Sequence, residues 1–506
     1  MYELTKLIRE DMKPALGVTE PGAIAFAAAS ARAHVQGELR KVRVSLNSGM
    51  YKNAFTCGIP NSSNFGNLYA AALGAVAADA GKGLESLEDI TPEDDRKAAG
   101  LVADGLVEVV MDHIGSEITI DASVETEQDE CTVHIRDSHT HIISIEKNGR
   151  QIYADEGYRP AAGAVGNTGN AGNTENARNT GDAEDAGNIV DAEDAGNTVD
   201  AEDVGNTGAD TAGASGQEIP AIHRYSLREI LEYIREVPAE EISFIREAFS
   251  MNMELFEEGL DSGRGVIARQ LLMENGDEVI SRDALKTAQL LCNGAIEARV
   301  LGLGRPAMSI TGSGAHGIIA TMPVYAWDQV CGKETAGEAL KAEDESRLLR
   351  AAALSCLITM YIKEYSGRLS AFCGCGIAAG TGMACGLAFY RGADTAKIEG
   401  VIRNMASGLT GMICDGGSHG CTMKGIVAVD AAFRAVSMAM AGVSIASIHG
   451  INGGTPEETM RYMGMIASPG MVQTEKTIVE IMEQKRISEA ELQKQVSETE
   501  LQNGQR

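Results

Sequence analysis

Residues 39–46, LRKVRVSL, alternate apolar and polar side chains, the period of a half-buried strand. Three further short runs behave alike: Glu117–Glu125, Cys131–Arg136 and His141–Glu146, separated by turn signals. They predict a small antiparallel sheet. Residues 1–37 read as two helices split by PALGVTEPG. There Pro14 and Pro21 bracket a turn, and Thr19 with Glu20 can cap the second helix. Leu68–Ala80 and Pro92–Met111 read as helices. The intervening NSGMYKNAFTCGIPNSSNFGN lacks either period and reads as a long loop, a common carrier of function. From Ser226 the helical period runs almost to the end. Its segments are 227–235, 239–258 with Pro238 at the break, 282–303, 334–365, a buried stretch over 370–390, and further Ala/Met/Gly helices. The fold class expected is α+β: a mixed N-terminal domain with a small antiparallel sheet (1–160) and a mostly helical domain (218–484), followed by a charged tail (485–506).

Residues 161–217 break this pattern. They hold three nine-residue repeats, DAEDAGNIV, DAEDAGNTV and DAEDVGNTG, and almost no large apolar side chains. Such a segment cannot bury enough surface to offset the entropy of ordering, so a disordered acidic insert is expected. Nonapeptide calcium rolls share the period but not the GGxGxD pattern.

Composition narrows the function classes. The net charge of −29 over 506 residues disfavours nucleic acid and anionic membranes as partners. The start, MYELTKLIREDMK, has no apolar core of a signal peptide, and the ten cysteines then imply a reducing, cytoplasmic setting. Ser370–Tyr390 carries no charge but is too weakly apolar for a membrane span. Its Gly374, Ala378, Gly382 and Gly386, four apart, suit a closely packed buried helix.

Half of the cysteines, Cys373, Cys375, Cys385, Cys414 and Cys421, lie between Leu369 and Lys424 among Gly, Ala and Met. They read either as small buried hydrophobes or as soft-metal ligands. Cys373 and Cys375 are too close in sequence to share one site comfortably. One of them with Cys414 and Cys421, which flank DGGSHG, gives three thiolates. An iron–sulfur cube with three protein ligands leaves one iron open as a Lewis acid, the logic of a dehydratase. Thr311-Gly-Ser-Gly-Ala-His-Gly317 is a Gly-rich loop whose amides can hold a carboxylate or phosphate. With no strand expected before it and no Lys-Ser/Thr after it, it is neither a Rossmann fingerprint nor a P-loop. SHTHIIS sets His139 and His141 on one face of a strand.

PALGVTEP, KNAFTCGIPN, HTHI, TGSGAHGI, LSAFCGCG and GMICDGGSHGCTMK, in that order, resemble the L-cysteine desulfidase family, which is related to the alpha chain of the oxygen-sensitive iron–sulfur L-serine dehydratases. The resemblance covers nearly the whole chain outside the acidic insert. It implies a lyase that converts L-cysteine to pyruvate, ammonia and hydrogen sulfide with a [4Fe-4S] cluster and no pyridoxal phosphate. Carried onto this chain, Cys373, Cys414 and Cys421 are the implied cluster ligands. Lys52, Asn53, Asn61, Gly312, Ser313 and Gly314 are the implied substrate contacts, and His139 and His316 the candidate bases. The implied partner is a small amino acid, L-cysteine or L-serine, with a homodimer allowed and no nucleic acid or membrane. Family members typically read PALGCTEP, whereas this chain has Val18 in place of that cysteine; Cys57 is a candidate spatial substitute. Two other readings stand beside the lyase: a non-catalytic relative that binds a cluster or an amino acid, which Val18 favours, and a pyridoxal-phosphate β-eliminase, for which no Schiff-base lysine stands out.

Overall fold

The computed structural model describes residues 2–159, 219–332 and 338–485; the acidic repeats and the tail beyond 485 lie outside the described residues. In chain order the N-terminal part is α1 (Tyr2–Asp11), β1 (Lys13–Leu16), α2 (Thr19–Arg32), β2 (Leu39–Asn47), α3 (Ser48–Ala54), α4 (Asn67–Val76), α5 (Pro92–Ala103), β3 (Val107–His113), β4 (Thr119–Thr126), β5 (Glu130–Arg136), β6 (Ile142–Lys147) and β7 (Arg150–Ala154). The helical part is α6 (Leu227–Glu236), α7 (Arg246–Asp261), α8 (Val266–Glu274), α9 (Ala284–Val300), β8 (Pro306–Ser309), α10 (Gly314–Cys331), α11 (Glu338–Ser366), α12 (Gly380–Tyr390), α13 (Thr395–Leu409), α14 (Gly420–Met440), α15 (Pro456–Met465) and α16 (Val472–Gln484). The α+β reading holds. Described residues up to Glu156 and from Ile219 belong to one compact unit. No helix among the described residues is long and apolar enough to cross a membrane.

The main sheet runs β3-β2-β4-β5-β6-β7. All its pairs are antiparallel except β2–β3. The alternation in β4 and β5 puts Ile120, Ala122, Val124, Val133 and Ile135 on one buried face. Against that face lie α2 and α4, both rich in alanine. Gly74 of α4 lets the two helices touch, since a Cβ there would sit 2.5 Å from the Ala25 carbonyl oxygen of α2.

Several local expectations change. Thr19 and Glu20 lie inside α2 and do not cap it; its N-cap is Val18, without a side-chain hydrogen bond. The helix expected over 92–111 stops at Ala103, where Asp104 and left-handed Gly105 (φ +71°) turn the chain, and β-branched Val107, Val109 and Val110 become strand β3. The loop expected after β2 begins with helix α3. A strand does precede the Gly-rich loop: β8 pairs antiparallel with β1, Lys13 opposite Ser309 and Leu16 opposite Pro306. That pairing ties the chain's start to the mouth of the loop.

The uncharged stretch becomes helical only from Cys375, through a π turn at Cys375–Ala379 into α12, while residues 370–374, expected within the helix, run through an isolated bridge. Two of its glycines pack as the spacing suggested, whereas Gly374 precedes the helix and faces His316. A Cβ on Gly382 would lie 2.3 Å from the Ser355 carbonyl oxygen, and one on Gly386 2.7 Å from that of Ala351, both on α11. Gly100 on α5 is exposed and its added Cβ would meet nothing within 4 Å. Gly382→Ala should therefore destabilise the protein by about 1–3 kcal/mol through overpacking. Gly100→Ala should stabilise it by about 0.5–1 kcal/mol through helix propensity. Urea unfolding of the two variants measures both signs.

Candidate functional site

The two cysteine segments meet through one antiparallel bridge, Phe372 opposite Ile413. The Cys373 amide donates to the Met412 carbonyl at 3.1 Å, and the Cys414 amide donates to that of Ala371 at 2.6 Å. Cys421 opens the first turn of α14, its thiol donating to the Gly416 carbonyl at 3.3 Å. The Cys375 thiol donates to Cys373, which also accepts the Gly376 amide at 3.4 Å. These bonds hold the Cys373 thiol down to about 7 and push Cys375 well above the ordinary range. Burial raises Cys414, and raises Cys421 to about 11. The Lys424 ammonium, paired with Asp415, opposes that rise at Cys414 and Cys421 and favours the thiolate of Cys373.

A buried lysine ties this arrangement together. Lys52, on α3, is 1% exposed. Its Nζ donates to the Ser370 carbonyl at 3.1 Å, to the Cys414 carbonyl at 3.0 Å and to Glu475 Oε2 of α16 at 2.7 Å. Lys52 thus grips both cysteine segments by their backbone, and its charge also favours a Cys414 thiolate.

Beside the thiols lies a cavity of about 260 Å³, lined by His139, His316, Thr311, Gly312, Ser313, Glu20, Asn53, Lys363, Arg368, Cys375 and Cys414 among others. His139 sits in the turn before β6 rather than on a strand, so it does not share a strand face with His141, which pairs with Asp155 at 2.8 Å. His139 Nε2 is buried with no hydrogen-bond partner. Burial lowers its pKa, against the attraction of Glu20. His316 is held lower still, by burial and by the cations Lys363 and Arg299. Its orientation follows from Thr311, a non-glycine residue at φ +51°. The Thr311 hydroxyl donates to the Ile310 carbonyl at 2.7 Å and lies 2.6 Å from His316 Nδ1. Having one proton, the hydroxyl must accept from Nδ1–H, which leaves the lone pair on Nε2. That nitrogen faces Gly374, where a Cβ would come within 2.6 Å of it.

Glu20 Oε1 accepts from Asn53 Nδ2 at 2.8 Å, and Asn53 Oδ1 lies 3.8 Å from the Cys414 sulfur. Burial lowers the Lys363 ammonium to about 8, and it donates to the Gly367 and Arg368 carbonyls at 2.7 and 3.1 Å. Gly312 and Ser313 meet the cavity, and Ser313 is the N-cap of α10, whose positive dipole end faces it. Gly314 instead makes room for Arg299, 2.8 Å from its would-be Cβ. Asn61 (φ +58°) donates to the Leu87 and Glu88 carbonyls at 3.2 and 2.7 Å. It lines a separate cleft of about 820 Å³, together with Ser418, His419 and Gly420.

Val18 is distant only in sequence. It forms a small apolar cluster with Cys57 and Val300, against which Cys421 packs. A Cβ on Gly417 would lie 3.1 Å from Val18 Cγ1 and 3.4 Å from Cys57 Cβ. Cys57 is fully buried, and burial and Glu20 raise its pKa. Sequence reasoning missed the roles of Glu20, Thr311, Lys363, Arg368 and Lys424. Glu20, Thr311 and Lys424 stand inside the PALGVTEP, TGSGAHGI and GMICDGGSHGCTMK motifs, but only the folded geometry places Lys363 and Arg368.

Among the described residues no three His, Cys, Asp or Glu side chains converge tightly enough to hold a single metal ion. A polynuclear cluster makes a different demand, because each ligand binds its own iron and the thiols stand apart. The donor set here is soft: Cys373, Cys414 and Cys421 interact with one another electrostatically, with Lys424 beside them. In kind, these residues fit an iron–sulfur cluster rather than a hard cation.

The tether yields a test. Lys52→Met leaves the Glu475 carboxylate buried without its cation and should cost about 3–5 kcal/mol in urea unfolding of the apoprotein. Adding Glu475→Leu should recover much of that loss, since an apolar pair replaces the orphaned charge.

Residues 81–480 match the family model described as serine dehydratase alpha chain. A UPF0597 protein of Clostridium botulinum (strain Langeland) is 36% identical over 479 residues, covering 95% of this chain and 98% of that protein. A UPF0597 protein of Caldanaerobacter subterraneus subsp. tengcongensis is 32% identical over 482 residues, with 95% and 98% covered. One of Clostridioides difficile (strain 630) is 28% identical over 478 residues, with 94% and 98% covered. The matched span takes in His139, His316, the Gly-rich loop and all three proposed ligands, while Val18, Glu20 and Asn53 precede it. The family is of lyase type, generally iron–sulfur serine dehydratase subunits. The chain belongs to the serine dehydratase alpha chain family.

Proposed function

We propose that this protein is an iron–sulfur lyase that eliminates sulfide from L-cysteine, releasing pyruvate and ammonia. The observation that carries the reading is the cavity of about 260 Å³, small enough for a single amino acid, with two neutral buried histidines and the Cys414 segment in one wall. Cys373, Cys414 and Cys421 would hold a [4Fe-4S] cluster, which supplies a Lewis-acidic iron that polarises the leaving group. The rest falls to this chain's own side chains. Arg368 and the N-terminus of α10 attract the substrate carboxylate. The Glu20 carboxylate, fixed by Asn53, faces the substrate ammonium. His139 Nε2, unpartnered and neutral, takes the α-proton; His316, with its lone pair on Nε2, is the second base. Elimination gives aminoacrylate, which water converts to pyruvate and ammonia.

L-Serine is the second substrate reading, favoured by the family to which the chain belongs. A non-catalytic relative is the reading that Val18 favours. Its contact with Gly417 places the substitution beside the cysteine turn itself, with Cys57 as the neighbouring thiol.

Protein purified without oxygen should be brown and bleach with dithionite, and should form pyruvate and sulfide from L-cysteine. Iron-free, colourless protein would sink the cluster, and a brown protein inert on both amino acids would favour the binding relative. Val18→Cys then tests whether that one position sets the rate. For His139→Asn, kcat should fall by about 100-fold or more with the absorption spectrum unchanged. Because both histidine pKa values are lowered, the neutral base persists as pH falls through the ordinary histidine range. The acid limb of kcat/KM should therefore lie below about 6.5. A limb above that value would remove both histidines as the base.

A further inference from the structure

On the helical side, where α6, α10, α11 and α12 come together, lies a groove of about 850 Å³. Among the described residues, the charged ones lining it are all arginines: Arg235, Arg347, Arg350 and Arg391. In a chain of net charge −29, a concave surface that gathers four guanidinium groups is out of keeping with the overall balance.

Structural duties account for only part of it. Arg350 donates to the Arg235 and Val237 carbonyls, closing the C-terminal end of α6, though its Nε is buried without a partner. Arg235 donates once, to Thr395 Oγ1 at 3.3 Å. Arg391 stands over the Trp327 ring at 4.9 Å, and Arg347 over the Tyr390 ring at 5.8 Å. Among the described residues these four arginines take part in no ion pair. The nearby Asp328 carboxylate accepts the Tyr390 hydroxyl at 2.7 Å. A guanidinium held near an aromatic ring rather than against a carboxylate keeps its charge uncompensated, and its N–H fork suits bidentate contact with phosphate oxygens. The volume falls in the range of small-molecule sites.

We propose that this groove binds a small polyphosphate anion, with Arg235, Arg347 and Arg391 as its ligands, at a site separate from the thiol cavity. Two sources offer that chemistry, a nucleotide and a free polyphosphate chain. Calorimetric titration of the full-length protein with ATP, tripolyphosphate and adenosine tests it. ATP and tripolyphosphate should bind, adenosine should not, and raising the salt should weaken both. Tighter binding of ATP would assign a nucleotide, and equal binding the free chain. Arg347→Gln and Arg391→Gln should each weaken binding about tenfold or more. Arg43→Gln, on the sheet, should leave it unchanged. Both arginines are at least partly exposed, so the variants should fold, and circular dichroism checks this. The site is overturned if neither phosphate compound binds, if binding is indifferent to salt, or if the folded Arg347/Arg391 double variant binds as well as the parent.

Discussion

An ammonium group excluded from water must find its partners inside the protein, and much of the site follows from how Lys52 does so. Its three bonds reach the backbone before Cys373, the backbone at Cys414 and a carboxylate near the chain's end. A neutral side chain there would leave Glu475 charged in an apolar setting. A surface lysine would no longer bond to the backbone of both cysteine segments. The desolvation penalty of such a pair makes it a poor source of stability but a strict one of position, since the charges tolerate little displacement. The thiols inherit that fixed position.

The second constraint is closeness. Helices that touch backbone to backbone need residues without side chains, and this chain supplies them where α12 meets α11 and where α4 meets α2. The same economy reaches the site, where Gly374 leaves space for His316 and Gly417 sits against Asn53, Val18 and Cys57. The cavity wall combines such glycines with large side chains, His139, His316, Lys363, Arg368 and Phe372, which keep its volume to about 260 Å³.

Periodicity made β2, β4 and β5 readable, because one face of each is buried and the other is not. It failed at β3, whose valines continue a helical-looking run, and only the Asp104-Gly105 turn marks the change. The glycine spacing in Ser370–Tyr390 announced its close packing directly. The site was legible as motifs and not as geometry. His139, Asn53, Gly312, Ser313, His316 and Cys414 gather at one cavity, while Lys52 is held among backbone carbonyls and Asn61 faces another cleft. Nothing in the residue order could say that Val18, Cys57 and Cys421 touch, because contacts across hundreds of residues are set by the packing of whole elements.

The pairing of β1 with β8 joins residues 13–16 to residues 306–309, so the acidic repeats fall inside the loop that this pairing closes. The entropy of closing a loop grows only with the logarithm of its length. Each doubling of a flexible loop therefore adds only about 0.6 kcal/mol. A protein built this way can acquire, expand or lose repeats at that point while the cavity wall made by the two strands keeps its register.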